Sequence, residues 1–146
     1  MRKILLVAFV FLSFGVIAAK ADNDRVITKE KLPLASQQFI NENFGDLKIS
    51  YVKEERDFLE RSYEVVFTNG TKIEFMRNGD WKEVDCRYSN VPAEIIPECI
   101  AKYVSEHYSD ARILQIERSR SDYEVRLSNK LELTFDKKFN IIDIDD

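Results

Sequence analysis

The 146-residue chain is poor in the residues that enzymes most often use as nucleophiles, general bases and phosphate or zinc ligands. It contains one histidine, two cysteines, four glycines and three prolines. His107 follows Glu106 in a predicted helix, and no Ser-His-Asp or Cys-His arrangement can be built around it. There is no CxxC pair, no glycine-rich phosphate loop and no zinc-ligand spacing. These absences argue against an enzyme and indicate no cofactor.

A basic stripe is also missing. Lysine and arginine are interleaved with aspartate and glutamate, and the formal net charge of the chain is −4. Proteins that bind the phosphate backbone of nucleic acids need clustered positive charge. The composition therefore predicts no nucleic-acid partner. No linker rich in proline, glycine or serine divides the chain, so its length predicts one domain.

The one apolar run is short and lies at the N terminus. Arg2 and Lys3 precede the apolar residues 4–18, and residues 19–21 form the small-x-small pattern of a signal peptidase site. About fifteen apolar residues are too few for a membrane span, which needs roughly twenty. We predict that residues 1–21 are a signal peptide that is cleaved, that no stable membrane span remains, and that the protein is periplasmic or secreted. Cleavage would remove three basic and no acidic residues, which leaves a net charge of −7.

One pattern occurs twice in the predicted mature chain. Ser62–Phe75 (SYEVVFTNGTKIEF) resembles Asp122–Phe135 (DYEVRLSNKLELTF) at an offset of 60 residues. Leu32–Asp46 resembles Ile96–Asp110 at an offset of 64, so the first copy needs a longer hairpin, around residues 55–61. The sequence therefore predicts a single domain made of two repeats, residues 32–86 and 91–146, after a flexible N terminus over residues 22–31.

Each repeat predicts one helix followed by four antiparallel strands. A proline opens each helix, where its missing amide costs no hydrogen bond, and apolar residues follow at helical spacing. The strand segments alternate with period two, and Asn69-Gly70 marks a tight hairpin. One such unit buries little apolar area against its loss of backbone entropy. We therefore expect an α+β fold in which the tandem units form one sheet of about eight strands, with two helices on one face.

Short motifs in both repeats carry a family resemblance. They are Leu32-Pro33, Phe39-Ile40, Asn43-Phe44, Tyr63-Glu64-Val65, Asn69-Gly70, Ile73-Glu74-Phe75 and Gly79-Asp80-Trp81, with Ile96-Pro97, Tyr103-Val104, Tyr108, Tyr123-Glu124-Val125 and Phe135-Asp136 in the second repeat. By these motifs the chain resembles the secreted PepSY-like proteins of Bacteroidetes over almost all of its mature length. The resemblance implies a fold like that of the β-lactamase-inhibitor proteins. Some members are described as calcium-regulated periplasmic proteins, which does not establish a biochemical activity.

The strand residues that point away from the helices form the candidate partner-binding face. Aromatic, methionine and arginine side chains among charges are typical of protein interfaces. The candidates are Tyr51, Glu64, Lys72, Glu74, Met76, Trp81, Arg126 and Glu132. A sheet face that meets only solvent alternates in the same way, so that alternative stays open. A register shift of one residue would turn Trp81 inward.

Two cysteines and four acidic residues are further candidates. Cys86 and Cys99 bracket the connection between the repeats and are predicted to form a disulfide in an oxidising compartment, with two buried thiols as the alternative. Carboxylates at period-two spacing close each repeat and are weak calcium candidates; they are Glu83, Asp85, Asp143 and Asp145. No EF-hand loop accompanies them, and solubilising charge on an edge strand explains them equally.

These patterns favour a secreted, non-enzymatic module that binds or inhibits a protein or peptide through the open face of its sheet. The alternative is an extracytoplasmic protein that binds or responds to calcium.

Overall fold

The structure, a computed structural model, describes residues 24–146. The predicted signal peptide, residues 1–21, lies outside them. The elements in chain order are β1 (Arg25–Ile27), α1 (Leu34–Phe44), β2 (Ile49–Asp57), β3 (Glu60–Phe67), β4 (Lys72–Met76), β5 (Trp81–Asp85), α2 (Glu98–His107), β6 (Ile113–Arg118), β7 (Asp122–Leu127), β8 (Glu132–Asp136) and β9 (Ile141–Asp145). Neither helix in this part of the chain is long and apolar enough to cross a membrane.

All nine strands form one antiparallel sheet in which each strand pairs with its neighbours in the chain. The expected α+β fold is therefore confirmed, with a helix and four strands in each half. The ninth strand is β1, which pairs with β2 through Arg25–Ile27. Residues 25–27 are thus held in the sheet, and the prediction of a flexible segment over 22–31 is wrong for them. The edge of β2 offers unpaired backbone groups that β1 satisfies.

Both helices lie on one face of the sheet. Phe39 of α1 meets Phe75 edge to face at 5.8 Å between ring centroids, and Tyr103 of α2 meets Phe135 in the same way at 5.3 Å. Ile40, Phe44, Ile100 and Val104 also point into the core from the helices. Phe75 and Phe135 are fully buried. The matching contacts give each half of the core the same construction.

Four β-bulges set which side chains reach that core. Register shifts leave one extra residue in each of the strands β2, β5, β6 and β9. The extra residues are Ser50, Lys82, Leu114 and Ile142. The bulge at Lys82 makes Trp81 and Val84 point to the same side, although they are three residues apart. Trp81 therefore packs under α1, 6.4 Å from the ring of Phe39, and is 9% exposed. The prediction that Trp81 belongs to the open face is wrong.

The hairpin between β2 and β3 is longer than its counterpart between β6 and β7, as the change in offset predicts. Its strands remain paired out to Asp57 and Glu60, beyond the last partners of β1 and β4. Glu54 lies at its base with 5% exposure and accepts contacts from Arg25, Arg56 and Arg61 at 3.2, 2.9 and 3.1 Å. Burial alone would raise the pKa of Glu54, but the hydrogen bonds from Arg56 and Arg25, together with the charges of Arg56 and Arg61, outweigh it and lower the pKa.

Substitutions on the two faces of the sheet should differ in their effect on the free energy of unfolding. We expect Phe75→Ala to lower the free energy of unfolding by about 3 to 5 kcal/mol, because the lost ring leaves a cavity, and Trp81→Ala to have a loss of the same order. Met76→Ala, the adjacent residue on the opposite face, should cost less than about 1 kcal/mol. Equilibrium unfolding in urea measures all three. A similar loss for Phe75→Ala and Met76→Ala would contradict the register.

Candidate binding face of the sheet

The face of the sheet opposite the helices carries seven of the eight candidate side chains. Alternation along the strands and the cross-strand register place Tyr51, Glu64, Lys72, Glu74, Met76, Arg126 and Glu132 there. We call this surface the open face, since no described element covers it. Tyr51 and Met76 keep 40% and 39% of their surface exposed. Trp81 is the one candidate that the fold places elsewhere.

A row of glutamates crosses the centre of the open face. Glu64 pairs with Glu74, Glu74 with Glu83, Glu83 with Glu117, and Glu117 with Glu124, on the five strands from β3 to β7. We call these five residues the glutamate row. Neighbouring strands are about 4.8 Å apart, so the row spans roughly 20 Å. The carboxylates therefore stand directly beside one another.

Burial and the charge of acidic neighbours raise the pKa of two members of the row, Glu74 and Glu124. The pKa of Glu74 is raised by burial and by the charge of Glu83 beside it. The pKa of Glu124 is raised by burial and by its acidic neighbours Glu132 and Glu117. Like charges directly opposite each other in a sheet are destabilising. The glutamate row therefore weakens the fold at neutral pH.

Positive charges lie around the row and offset it only in part. Lys53 continues the row next to Glu64, but its amine lies 2.9 Å from Glu55 and 3.3 Å from Asp24. In the parallel row on the same face, Arg126 lies 3.3 Å from Asp85, and Lys72 lies 4.0 Å from Glu74. Within residues 24–146, the other four members of the row make no ion pair. Negative charge thus dominates the middle of the face.

The two cysteines are free, so the predicted disulfide is not formed. Cys86 is buried beside Thr71, whereas Cys99 is exposed on α2. Burial, reinforced by the charge of Asp85, raises the pKa of the Cys86 thiol to about 11. One thiol is therefore enclosed by the protein and the other meets solvent.

The four weak calcium candidates do not converge. Glu83 and Asp85 lie on β5, and Asp143 and Asp145 on β9, which is four strands away and therefore roughly 19 Å distant. Asp85 already pairs with Arg126, and Glu83 accepts a hydrogen bond from Gln115. Across the part of the chain that the structure describes, no group of three or more histidine, cysteine or acidic residues is arranged to hold a metal ion.

The alternation in the sequence predicts Glu64 and Glu74 on the open face but does not predict the row that they begin. Glu83 is predicted only as a weak calcium candidate, and no motif in the sequence singles out Glu117. The repeated Tyr-Glu-Val motif does place Glu64 and Glu124 at matching positions of the two halves. The link between them depends on the pairing of β5 with β6, for which no local motif exists.

Comparison with known proteins gives a family and close structural relatives. The family model described as "Putative beta-lactamase-inhibitor-like, PepSY-like" matches residues 61–143. A putative calcium-regulated periplasmic protein from Bacteroides thetaiotaomicron is 54% identical, with a TM-score of 0.84 over 86% of this chain and 99% of that one. A putative periplasmic protein from Bacteroides vulgatus is 49% identical, with the same TM-score and coverage.

A second protein from Bacteroides vulgatus, described as a putative periplasmic protein of unknown function, is 36% identical, with a TM-score of 0.80 over 84% of this chain and 99% of that one. No curated protein matches this chain. The family match and the relatives confirm the resemblance inferred from the repeated motifs. The chain belongs to the PepSY-like family and, like these relatives, is a periplasmic protein.

Proposed function

We propose that this protein is a non-enzymatic periplasmic binding module whose open face takes up a basic segment of a protein or peptide. The observation that carries the proposal is the glutamate row, in which five strands place a carboxylate at the same level of one face. A basic segment laid across the strands would neutralise charges that the fold itself pairs only in part.

The destabilising effect of the glutamate row supports the proposal that the row has a function. Uncharged residues at these positions would remove the repulsion between neighbouring strands. Features that weaken a fold without a structural gain are commonly retained at functional sites. The residues beside the row add contact area, because Tyr51, Val66 and Met76 present apolar surface between the charges. Aromatic and methionine side chains of this kind are enriched at interface centres.

Electrostatics also favours a basic partner. The open face and the excess of acidic residues in the chain have the same sign, and such fields speed the encounter with oppositely charged partners. A partner whose own functional site is basic would be inhibited when this face covers it. Tyr51 donates a hydrogen bond to Glu64 at 3.1 Å, which holds one end of the row in place.

Calcium is the second candidate. It is favoured by the description of the 54% identical relative as calcium-regulated and by the density of carboxylates in the glutamate row. Carboxylate oxygens are the ligands that calcium prefers, but six to eight of them must surround the ion. A flat row offers oxygens from one side only, so we rank this function below binding of a basic segment.

The effect of the glutamate row on the free energy of unfolding should depend on pH. The folded-state pKa of Glu74 is raised above 4.5, so its carboxyl group stabilises the fold below that pH and loses this contribution as the pH rises through the raised value. Glu74→Gln should therefore raise the free energy of unfolding near neutral pH, by about 0.5 kcal/mol, and not under acidic conditions. Urea unfolding across pH measures the difference. An equal gain in the control Glu106→Gln, on the exposed side of α2, would contradict it.

Capture of a basic peptide tests the proposed function. We expect the double variant Glu74→Gln, Glu83→Gln to bind a short lysine-rich peptide about tenfold more weakly than the unaltered protein, since two facing charges are lost. The control Glu98→Gln, Glu106→Gln removes the same charge from α2. Fluorescence anisotropy of a labelled peptide at low and high salt measures both. Equal weakening by the control would show that only net charge matters, and the proposal would fail.

Calorimetric titration of the mature protein with calcium separates the two functions. If the open face serves a basic partner, we expect no saturable heat at micromolar calcium and no change in the melting temperature. Micromolar binding together with a higher melting temperature would favour the calcium function. Loss of that binding in the Glu74→Gln, Glu83→Gln variant would then place the ion on the glutamate row.

A further inference from the structure

An open cavity of about 410 Å³ lies on the other side of the sheet, between α1 and the segment that precedes α2. Its lining includes Phe39 and Asn43 of α1, Ile95 and Pro97 just before α2, and the sheet residues Trp81 and Tyr123. Small-molecule sites typically have about 300 to 1,000 Å³, and this cavity adds the charged groups of Glu42, Glu94 and Arg118 to its apolar side chains. The cavity does not overlap the open face, so it bears on a function separate from the one proposed above.

Arg118 is the cationic group in the lining of this cavity. Its guanidinium carbon lies 3.9 Å from the centroid of the Trp81 ring, and its Nε donates a 2.8 Å hydrogen bond to the backbone carbonyl of Trp81. These contacts use one face and one nitrogen of the guanidinium group. Among residues 24–146, no carboxylate pairs with Arg118, and no group accepts a hydrogen bond from its two terminal nitrogens.

An arginine held in this way is preorganised to donate hydrogen bonds to a ligand. The side chain is half-buried, and burial lowers the pKa of Arg118, although the nearby Tyr123 and Asp80 act in the opposite direction. The two terminal nitrogens present a planar pair of donors that matches a carboxylate. Packing against Trp81 fixes the plane of the guanidinium group and reduces the entropy lost on binding.

The matching position in the first half shows the opposite arrangement. The bulges at Ser50 and Leu114 align the two halves at an offset of 64. Glu54 in the first half therefore occupies the position that Arg118 occupies in the second. Glu54 is satisfied by three arginines of its own chain. The same site of the fold therefore has an internally paired charge in one half and a charge open to a cavity in the other.

We propose that this cavity binds a ligand with a carboxylate and an amino group, such as a basic amino acid or a lysine at the C terminus of a peptide. The carboxylate pairs with the terminal nitrogens of Arg118, and Trp81 and Tyr123 pack against the aliphatic part. Glu42 and Glu94 also line the cavity and attract the amino group. Two acidic groups beside one arginine would repel a simple anion, so the ligand must carry both charges.

Trp81 is the single tryptophan of the chain and reports directly on this site. Titration with the tripeptide Gly-Gly-Lys is expected to change its fluorescence saturably, and the C-terminal amide of the same peptide should bind about tenfold more weakly because it lacks the carboxylate. Free lysine separates the two sources. Binding equal to that of the tripeptide assigns the site to amino acids, and weaker binding assigns it to peptide ends.

Three variants complete the test. Arg118→Gln should weaken binding of the tripeptide about tenfold, and Arg118→Lys should weaken it less, because a charge without the planar donor pair remains. Arg120→Gln removes an exposed arginine two residues away and should bind as the unaltered protein does. If thermal melting shows that Arg118→Gln does not fold, Glu94→Gln tests the amino-group contact instead. No saturable change, equal binding of the amide, or unaltered binding by the folded variants would overturn the proposal.

Discussion

The two halves of this protein are held together by one continuous row of aliphatic side chains across the sheet. The row runs through neighbouring strands from β2 to β8, and its members are Val52, Val65, Ile73, Val84, Ile116, Val125 and Leu133. All seven are buried, and burial of each contributes about 1.5 to 3 kcal/mol. At its centre, Val84 of the first half faces Ile116 of the second, and neither is exposed. That contact makes the two halves share one core.

The same junction places like charges together on the opposite side. Glu83 and Glu117 are the cross-strand partners next to Val84 and Ile116, because adjacent residues of a strand point to opposite faces. The register that buries the aliphatic row therefore also builds the glutamate row. Only three residue pairs join β5 to β6, and Gln115 binds Glu83 within this short ladder. Stability on the helix side thus permits an unfavourable arrangement on the open side.

The two halves also differ where their common architecture permits it. In the first half, the long hairpin places Arg56 and Arg61 next to Glu54. The two arginines balance the charge of its carboxylate. The second half has a shorter hairpin, and Arg118 at the corresponding place rests on Trp81 of the first half. A side chain whose partner comes from the other half can only be positioned once the sheet is continuous. The cavity above it is therefore a property of the joined domain and not of either unit.

The sequence by itself determined the element types, their order and the positions of most core residues. Proline before each helix, period-two alternation and the repeated Tyr-Glu-Val motif are local signals, and local geometry is what such signals report. The orientation of Trp81, the order of the segment at Arg25 and the separation of Cys86 from Cys99 were decided by the tertiary structure. Each depends on a bulge, an edge pairing or the exposure of a helix face, because these features arise only between segments that are distant in the chain. The glutamate row and the setting of Arg118 follow for the same reason, since both require the pairing of the two halves.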